Sequence, residues 1–267
     1  MTARGNDQTY LQTRQYANAS NLNARVAIHA RFSVNKQPWQ RWVFERLLLA
    51  TPSTVLELGC GPGNLWRENA GRLPAGLNLT LTDFSAGMLA QARQIVDHLA
   101  ACRYAVADAQ NMPFPDQAFT VVIANHMLYH VPDRARALAE ARRVLAPGGR
   151  LYAATVGLTH MRELDELVSR FDPQLAETGI GLGKPHAPFS LENGGEQLAA
   201  HFSHVEIHRY ADALDVTEAA PLVAYIQSGT DPLGETRLAE LTICVQRQLD
   251  AQGVIHITKD TGIFVAW

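Results

Sequence analysis

Two hydrophobic periods alternate along the chain. Short apolar runs at Thr54–Leu58, Leu77–Thr82, Arg103–Ala107, Phe119–Ala124 and Arg150–Thr155 predict strands, each too short to be a helix. Between them, apolar positions spaced three and four residues apart predict helices over Asn64–Arg72, Ser85–Leu99 and Asp133–Leu145. Ser85 fits an N-cap, and Pro147-Gly148-Gly149 stops the last helix. Upstream, residues 1–20 are polar and a helical pattern begins near Asn21. Pro38 suits the first turn of a helix running to Leu49. Strands alternating with helices imply a mostly parallel sheet with helices on both faces, wound by right-handed crossovers.

Downstream of Thr155 the alternation weakens. Helices are expected at Arg162–Phe171, Leu191–His201, Glu218–Ser228 and Glu235–Gln252, and a strand at Val205–Tyr210. Asp172–Phe189 is rich in Gly and Pro and reads as a loop or lid. Ile255–Lys259 and Gly262–Ala266 read as strands meeting in a tight turn at Asp260-Thr261-Gly262. Residues 1–50 are therefore expected to form a helical cap. Residues 51–267 are expected to form one α/β domain, with a lid or substrate insertion at about 157–203.

Composition narrows the class. At 267 residues the chain is near the upper end for one domain. A net charge of −3 gives no electrostatic reason to expect nucleic acid or an anionic membrane. No apolar run approaches the ~20 residues that span a bilayer, and the polar N-terminus lacks a signal-peptide core, so a cytoplasmic protein is expected. The three cysteines are far apart and the ten histidines show no ligand spacing such as HExxH. No metal is expected.

The most informative stretch is Val55-Leu56-Glu57-Leu58-Gly59-Cys60-Gly61-Pro62-Gly63, a strand running into a glycine-rich turn before a helix. A dinucleotide loop requires G-x-G-x-x-G, and Asn64 stands where its third glycine would be. A P-loop Lys-Ser or Lys-Thr is also missing. The triplet alone is equally a tight turn with no ligand. Asp83, twenty residues past Gly63 at the end of the second strand, could accept both ribose hydroxyls or merely cap a helix.

VLELGCGPGN resembles motif I of the class I S-adenosylmethionine-dependent methyltransferases, and more of that pattern follows in order: Asp83 with FSAGML, Ala107-Asp108-Ala109, FTVVIANHMLYHVPD and LAEARRVLAPGGRLYAAT. The likeness covers about residues 50–156 and is nearest to the ubiquinone/menaquinone-biosynthesis-like branch, whose members methylate small molecules. It implies a doubly wound, mostly parallel seven-stranded sheet with an antiparallel C-terminal strand. It implies S-adenosyl-L-methionine as cofactor, with Gly59, Gly61 and Gly63 beneath its methionine and ribose. Glu57 would hold the loop and the cofactor's amino end, and Asp83 the ribose. Phe84 and Met88 would lie near the adenine, and Asp108 and the Ala109 amide would meet its ring. Asn125 would touch cofactor or substrate.

In such a sheet the reaction lies beyond the strands' C-terminal ends. His126 and His130 would share a face if their loop were a helical turn, and either could contact the acceptor or serve as base. Proximity alone also suffices for methyl transfer. The N-terminal residues Tyr10, Tyr16, Arg25, His29, Arg31, Phe32, Trp39 and Trp42 suit either a cover, with Tyr16 and Arg25 near the cofactor carboxylate, or plain helix-on-sheet packing. His160, Lys184, His186 and Phe189 mark the other candidate lid. The resulting expectation is methyl transfer to an O, N or C nucleophile of a small molecule, with no nucleic-acid or membrane partner and a homodimer compatible with the sequence. A protein that binds the same cofactor without methylating stays open. A nicotinamide-dependent oxidoreductase is disfavoured by Asn64.

Overall fold

A computed structural model describes residues 20–177, 187–230 and 233–267. Its centre is a seven-stranded sheet: β1 (Ser53–Leu58), β2 (Leu77–Asp83), β3 (Ala101–Val106), β4 (Phe119–Asn125), β5 (Leu145–Val156), β6 (Val205–Val216) and β7 (Ile255–Ala266). The spatial order is β3-β2-β1-β4-β5-β7-β6. The first five strands run parallel, and β7 enters antiparallel between β5 and β6. Order reverses at β1, so the chain splits left to β2 and right to β4 and opens a crevice above them.

Burial follows position in the sheet. β1 is buried on both faces from Val55 on and β4 from Val121 to Ala124, whereas β3 at the edge is part exposed along its length. One face packs against α5 (Arg134–Val144) and α8 (Gly194–Ala199) through Val122, Leu138, Leu151 and Phe264. The other packs against α2 (Trp39–Phe44), α3 (Asn64–Glu68) and α4 (Ala86–Val96) through Val43, Trp66, Leu81 and Ala92. Ser85 caps α4, its hydroxyl accepting from the Met88 amide, and Asp133 caps α5 in the same way from Arg136.

A third cluster lies beyond the sheet's centre. There α1 (Ser20–Phe32), α6 (Arg162–Phe171), α7 (Pro173–Glu177), α9 (Ala219–Ser228) and α10 (Glu235–Gln252) bury Ile28, Leu164, Leu222 and Leu241 against the far halves of β6 and β7. The N-terminal segment is stitched to this part: Arg25 donates to the Ser228 hydroxyl and carbonyl, and Ser33 bridges Leu214 of β6.

Three expectations change. Asp260-Thr261-Gly262 is not a turn. β7 runs unbroken for 12 residues and pairs with β6 from Val205↔Ala266 to Val216↔Ile255, so the strand beside it comes from across two helices rather than from a hairpin. Gly262 is there for clearance: a Cβ would lie 2.7 Å from the His208 carbonyl oxygen of β6. Pro147-Gly148-Gly149 lies inside β5 as an irregularity, since Phe119 pairs with Leu145 and Val121 with Arg150. Phe189, assigned to a lid, is fully buried against Phe264.

Replacing Gly262 with Val is expected to cost about 1–3 kcal/mol of stability through overpacking against a backbone atom that cannot swing away, read as a lower urea midpoint at an unchanged slope.

Candidate functional site

The loop leaving β1 turns on three left-handed glycines, Gly59, Gly61 and Gly63, with φ of 62°, 54° and 80°. At Gly59 a Cβ would meet Met127 at 2.9 Å, and at Gly63 it would meet Val96 at 2.6 Å. Both conformation and space therefore exclude a side chain at these two positions. Asp83 fixes the loop from the neighbouring strand. One carboxylate oxygen accepts from the Gly61 amide at 2.9 Å and the other from the Ser85 amide at 2.8 Å. Burial raises its pKa, against these backbone bonds.

Glu57 lies one strand over, 2% exposed, and accepts from the Trp66 indole at 2.6 Å. Burial pushes its carboxyl up to about 8, more than the indole bond lowers it, and the charge of Asp83 adds to the rise. Asp108, just past β3, forms a compact turn in which its carboxylate accepts from the Gln110 amide and side chain.

These three carboxylates, Gly59, Gly61, Phe84, Met88, Ala109 and Asn125 all border one cavity of about 620 Å³, whereas Gly63 is not among its lining residues. That size falls in the range of about 300–1,000 Å³ usual for small-molecule sites. The same cavity is also lined by Trp39, His126, His160, Tyr210, Tyr225, Lys259 and, from α1, His29, and this end of it is the far chamber. Trp39 stacks on Trp42, stands 5.1 Å from the His126 ring and donates to Asn125 at 3.4 Å. Lys259 pairs with Asp212 and lies over the Tyr210 ring at 5.3 Å.

Not every expected residue behaves as expected. His126 and His130 both border the cavity, but they do not share a helix face. His126 has φ of 56° and precedes the short 3-10 turn Leu128–His130, which breaks the i, i+4 relation. His130 packs edge-on to Tyr129 at 4.6 Å. Burial, and then Lys259, pushes His126 down to about 4, so its imidazole is neutral at pH 7. Arg25 borders the cavity while its guanidinium bonds Ser228. Tyr16, Tyr10, Lys184 and His186 lie outside the described residues. The sequence missed Trp66, Lys259, Tyr210 and Tyr225. No local signal marks them, because each is brought in by packing between distant elements. Among the described residues no cluster is set to hold a metal, and no helix is long and apolar enough to cross a membrane.

The arrangement fits S-adenosylmethionine: a loop closed to side chains at two glycines, with carboxylates beside it for a ligand carrying an ammonium and two ribose hydroxyls. Comparison with known proteins agrees. Residues 56–153 match the family model described as a methyltransferase domain. A malonyl-[acyl-carrier protein] O-methyltransferase of Pectobacterium atrosepticum is 30% identical over 222 residues, covering 78% of this chain and 82% of that protein. A ubiquinone/menaquinone biosynthesis C-methyltransferase of Geotalea daltonii is 33% identical over 119 residues, 42% of this chain and 49% of that one. In fold, the chain is similar to a Haemonchus contortus phosphoethanolamine N-methyltransferase solved in complex with S-adenosyl-L-methionine, with a TM-score of 0.59, 19% identity and coverage of 97% of this chain and 59% of that one.

Glu57 gives folding a definite pH dependence. Its carboxyl stays protonated in the folded chain up to about 8 but ionises near 4.5 when unfolded. The stabilising contribution is thus full below 4.5 and is lost as pH rises through 8. Urea unfolding at several pH values is expected to show that decline, and Glu57→Gln to flatten it. Trp66→Phe is expected to cost about 1–3 kcal/mol by stranding a buried acceptor.

Proposed function

Because the chain belongs to the class I S-adenosylmethionine-dependent methyltransferases, in the ubiquinone/menaquinone-biosynthesis-like branch, and is an enzyme that methylates a small molecule, we propose that its cavity holds the cofactor at the glycine loop and the acceptor in the chamber beyond. What supports this most is the convergence of Glu57, Asp83 and Asp108, at or just past the ends of three strands, on one cavity. When bound, S-adenosylmethionine supplies a methyl group on a positive sulfur, whose bond to carbon breaks towards sulfur as the acceptor's lone pair bonds the carbon.

The chain's own residues then have separable tasks. The amides of the glycine loop line the cofactor half, held in place by Asp83, which keeps acceptor capacity for ribose hydroxyls. Asp108 and the Ala109 amide would hold the adenine, with Met88 and Phe84, which border the same cavity, as its apolar bed. Glu57 meets the ammonium end. A neighbouring cation favours its ionised form, so loading the site drives off its proton. Asn125 and Trp39 stand between the halves and orient the acceptor. His126 contacts the acceptor as a neutral imidazole. With its pKa near 4 it removes a proton only from an acidic group, and alignment and exclusion of water carry the rest. Helix α1 and the segment to Trp39 form the cap, and His160 is the contribution of the 157–203 insertion. The relatives named as an O-methyltransferase and a C-methyltransferase favour an oxygen or carbon acceptor over nitrogen.

Calorimetry with S-adenosylmethionine tests the assignment. Asp83→Ala is expected to weaken binding by about 1.5–3 kcal/mol, the range for hydrogen bonds to a charged group. Affinity is expected to fall as pH drops below about 8, with proton release on binding that Glu57→Gln removes. Retained affinity in Asp83→Ala would overturn the ribose assignment.

A further inference from the structure

The chamber beyond the glycine loop contains an unusual set of groups for an aromatic-walled space. Lys259 of β7 is 7% exposed at its side chain and its partner Asp212 of β6 is fully buried. Asp212 is heavily supplied: besides Lys259 it accepts from the Ser33 hydroxyl, the Asn35 amide at 2.9 Å and the Ala213 amide at 2.8 Å. Its charge is thus spread towards the backbone behind it. The ammonium has three donors, and Asp212 takes one.

The histidines report the consequence. His29, His126 and His160 border the same space, and after burial the charge of Lys259 is among the causes that depress all three. His29 faces Lys259, His160, His126 and Arg25, every one of which disfavours its protonation. His160 is pushed down to about 3, with His126 and Lys259 facing it. Each is a neutral imidazole, and the Nδ1 of His160 already lies 3.4 Å from the Thr261 hydroxyl, which leaves its Nε2 for a ligand. The His29 Nδ1 is buried and has no hydrogen-bond partner among the described residues. A cavity lined by an ammonium with donors to spare and by a buried ring nitrogen without a partner among the described residues suits an anionic ligand.

We infer that Lys259, His29 and His160 form an acceptor subsite for an oxygen acid, a carboxylate or an acidic phenol or enol, bound as its anion between the Trp39, Tyr210 and Tyr225 rings. The subsite rests on the methyltransferase reading for its role, though not for its chemistry. An amine, cationic in water, would meet a like charge. A neutral acceptor would leave the field unanswered. An oxygen acid loses its proton to solvent on entering, because the ammonium favours the ionised form, and this explains how a chamber without a strong base could serve.

Calorimetry separates the two readings. Titrating wild-type protein with S-adenosylhomocysteine tests the cofactor site alone, and failure there sinks the methyltransferase reading without touching the subsite. Benzoate and 4-nitrophenol are then titrated, with and without S-adenosylhomocysteine, against benzamide and benzylamine. The acids are expected to bind about ten-fold or more tighter than the amide and amine, as charge-assisted bonds imply. Benzoate and 4-nitrophenol distinguish a carboxylate from a phenol. Lys259→Met alone would strand Asp212, so the pair is neutralised as Lys259→Met with Asp212→Asn, and His160→Gln is made separately. Both are expected to lose the preference for acids while retaining affinity for S-adenosylhomocysteine. Acids that bind no better than benzamide, or not at all, overturn the subsite. So does a preference that survives both variants.

Discussion

The Asp83 carboxylate holds the Gly61 amide across the gap between β2 and β1. A loop with three left-handed residues in five has no regular ladder to satisfy its amides. The Cys60 amide is taken by the Thr82 carbonyl and the Gly63 amide by the Cys60 carbonyl, which leaves the Gly61 amide between them to the Asp83 carboxylate. With that bond, the backbone is held away from the crevice and the space is left for a ligand. The same carboxylate also accepts from the Ser85 amide as the chain turns into α4, which carries Met88 into the cavity. One half-buried acid therefore sets the loop, the start of a helix and the floor of the site. Its raised pKa is the cost of putting it there.

The second half of the cavity has a different origin. It exists because β6 and β7 are long, pair over their full length and extend past the strand ends of β4 and β5. That overhang carries Asp212, Tyr210 and Lys259 above the sheet, where residues 33–37 reach back to them. Tyr210 donates to the Gln37 carbonyl and packs edge-on to Trp39 and Trp42. Residues 33–37 are thus bound to a strand far from them in sequence. The chamber closes through those contacts.

This division explains what could be read before the fold was known. Strand positions, the glycine spacing, Ser85 as a cap and the carboxylates near the ends of three strands are local facts, written within a few residues of where they act. The β7 turn was misread for the same reason. Asp-Thr-Gly is a turn signal locally, and only the approach of the His208 carbonyl shows why a glycine stands in a strand. The His126–His130 pairing failed because a single positive φ at His126 breaks the period on which it depended. Trp66, Lys259 and Tyr210 could not be found, since a tryptophan on a helix or a lysine in a strand carries no mark of its partner.

A buried lysine and a buried glutamic acid, in one cavity but different halves, bias it in opposite senses. Glu57 keeps its proton in the empty protein at neutral pH, while burial lowers the Lys259 pKa and its bond to Asp212 opposes that fall, so one half holds an acid that can still ionise and the other a paired amine. A cationic ligand is then drawn to the half where a carboxyl group can still ionise and is repelled from the other. An anion is drawn the opposite way. The two ligands of a methyl transfer between a sulfonium and an oxygen anion would thus be sorted to their own ends before they meet. Burial sharpens this, because the same charges would be screened within about 8 Å in open solution. The selectivity of the site lies in that difference between its halves, and it depends on the overhang of β6 and β7 as much as on the glycine loop.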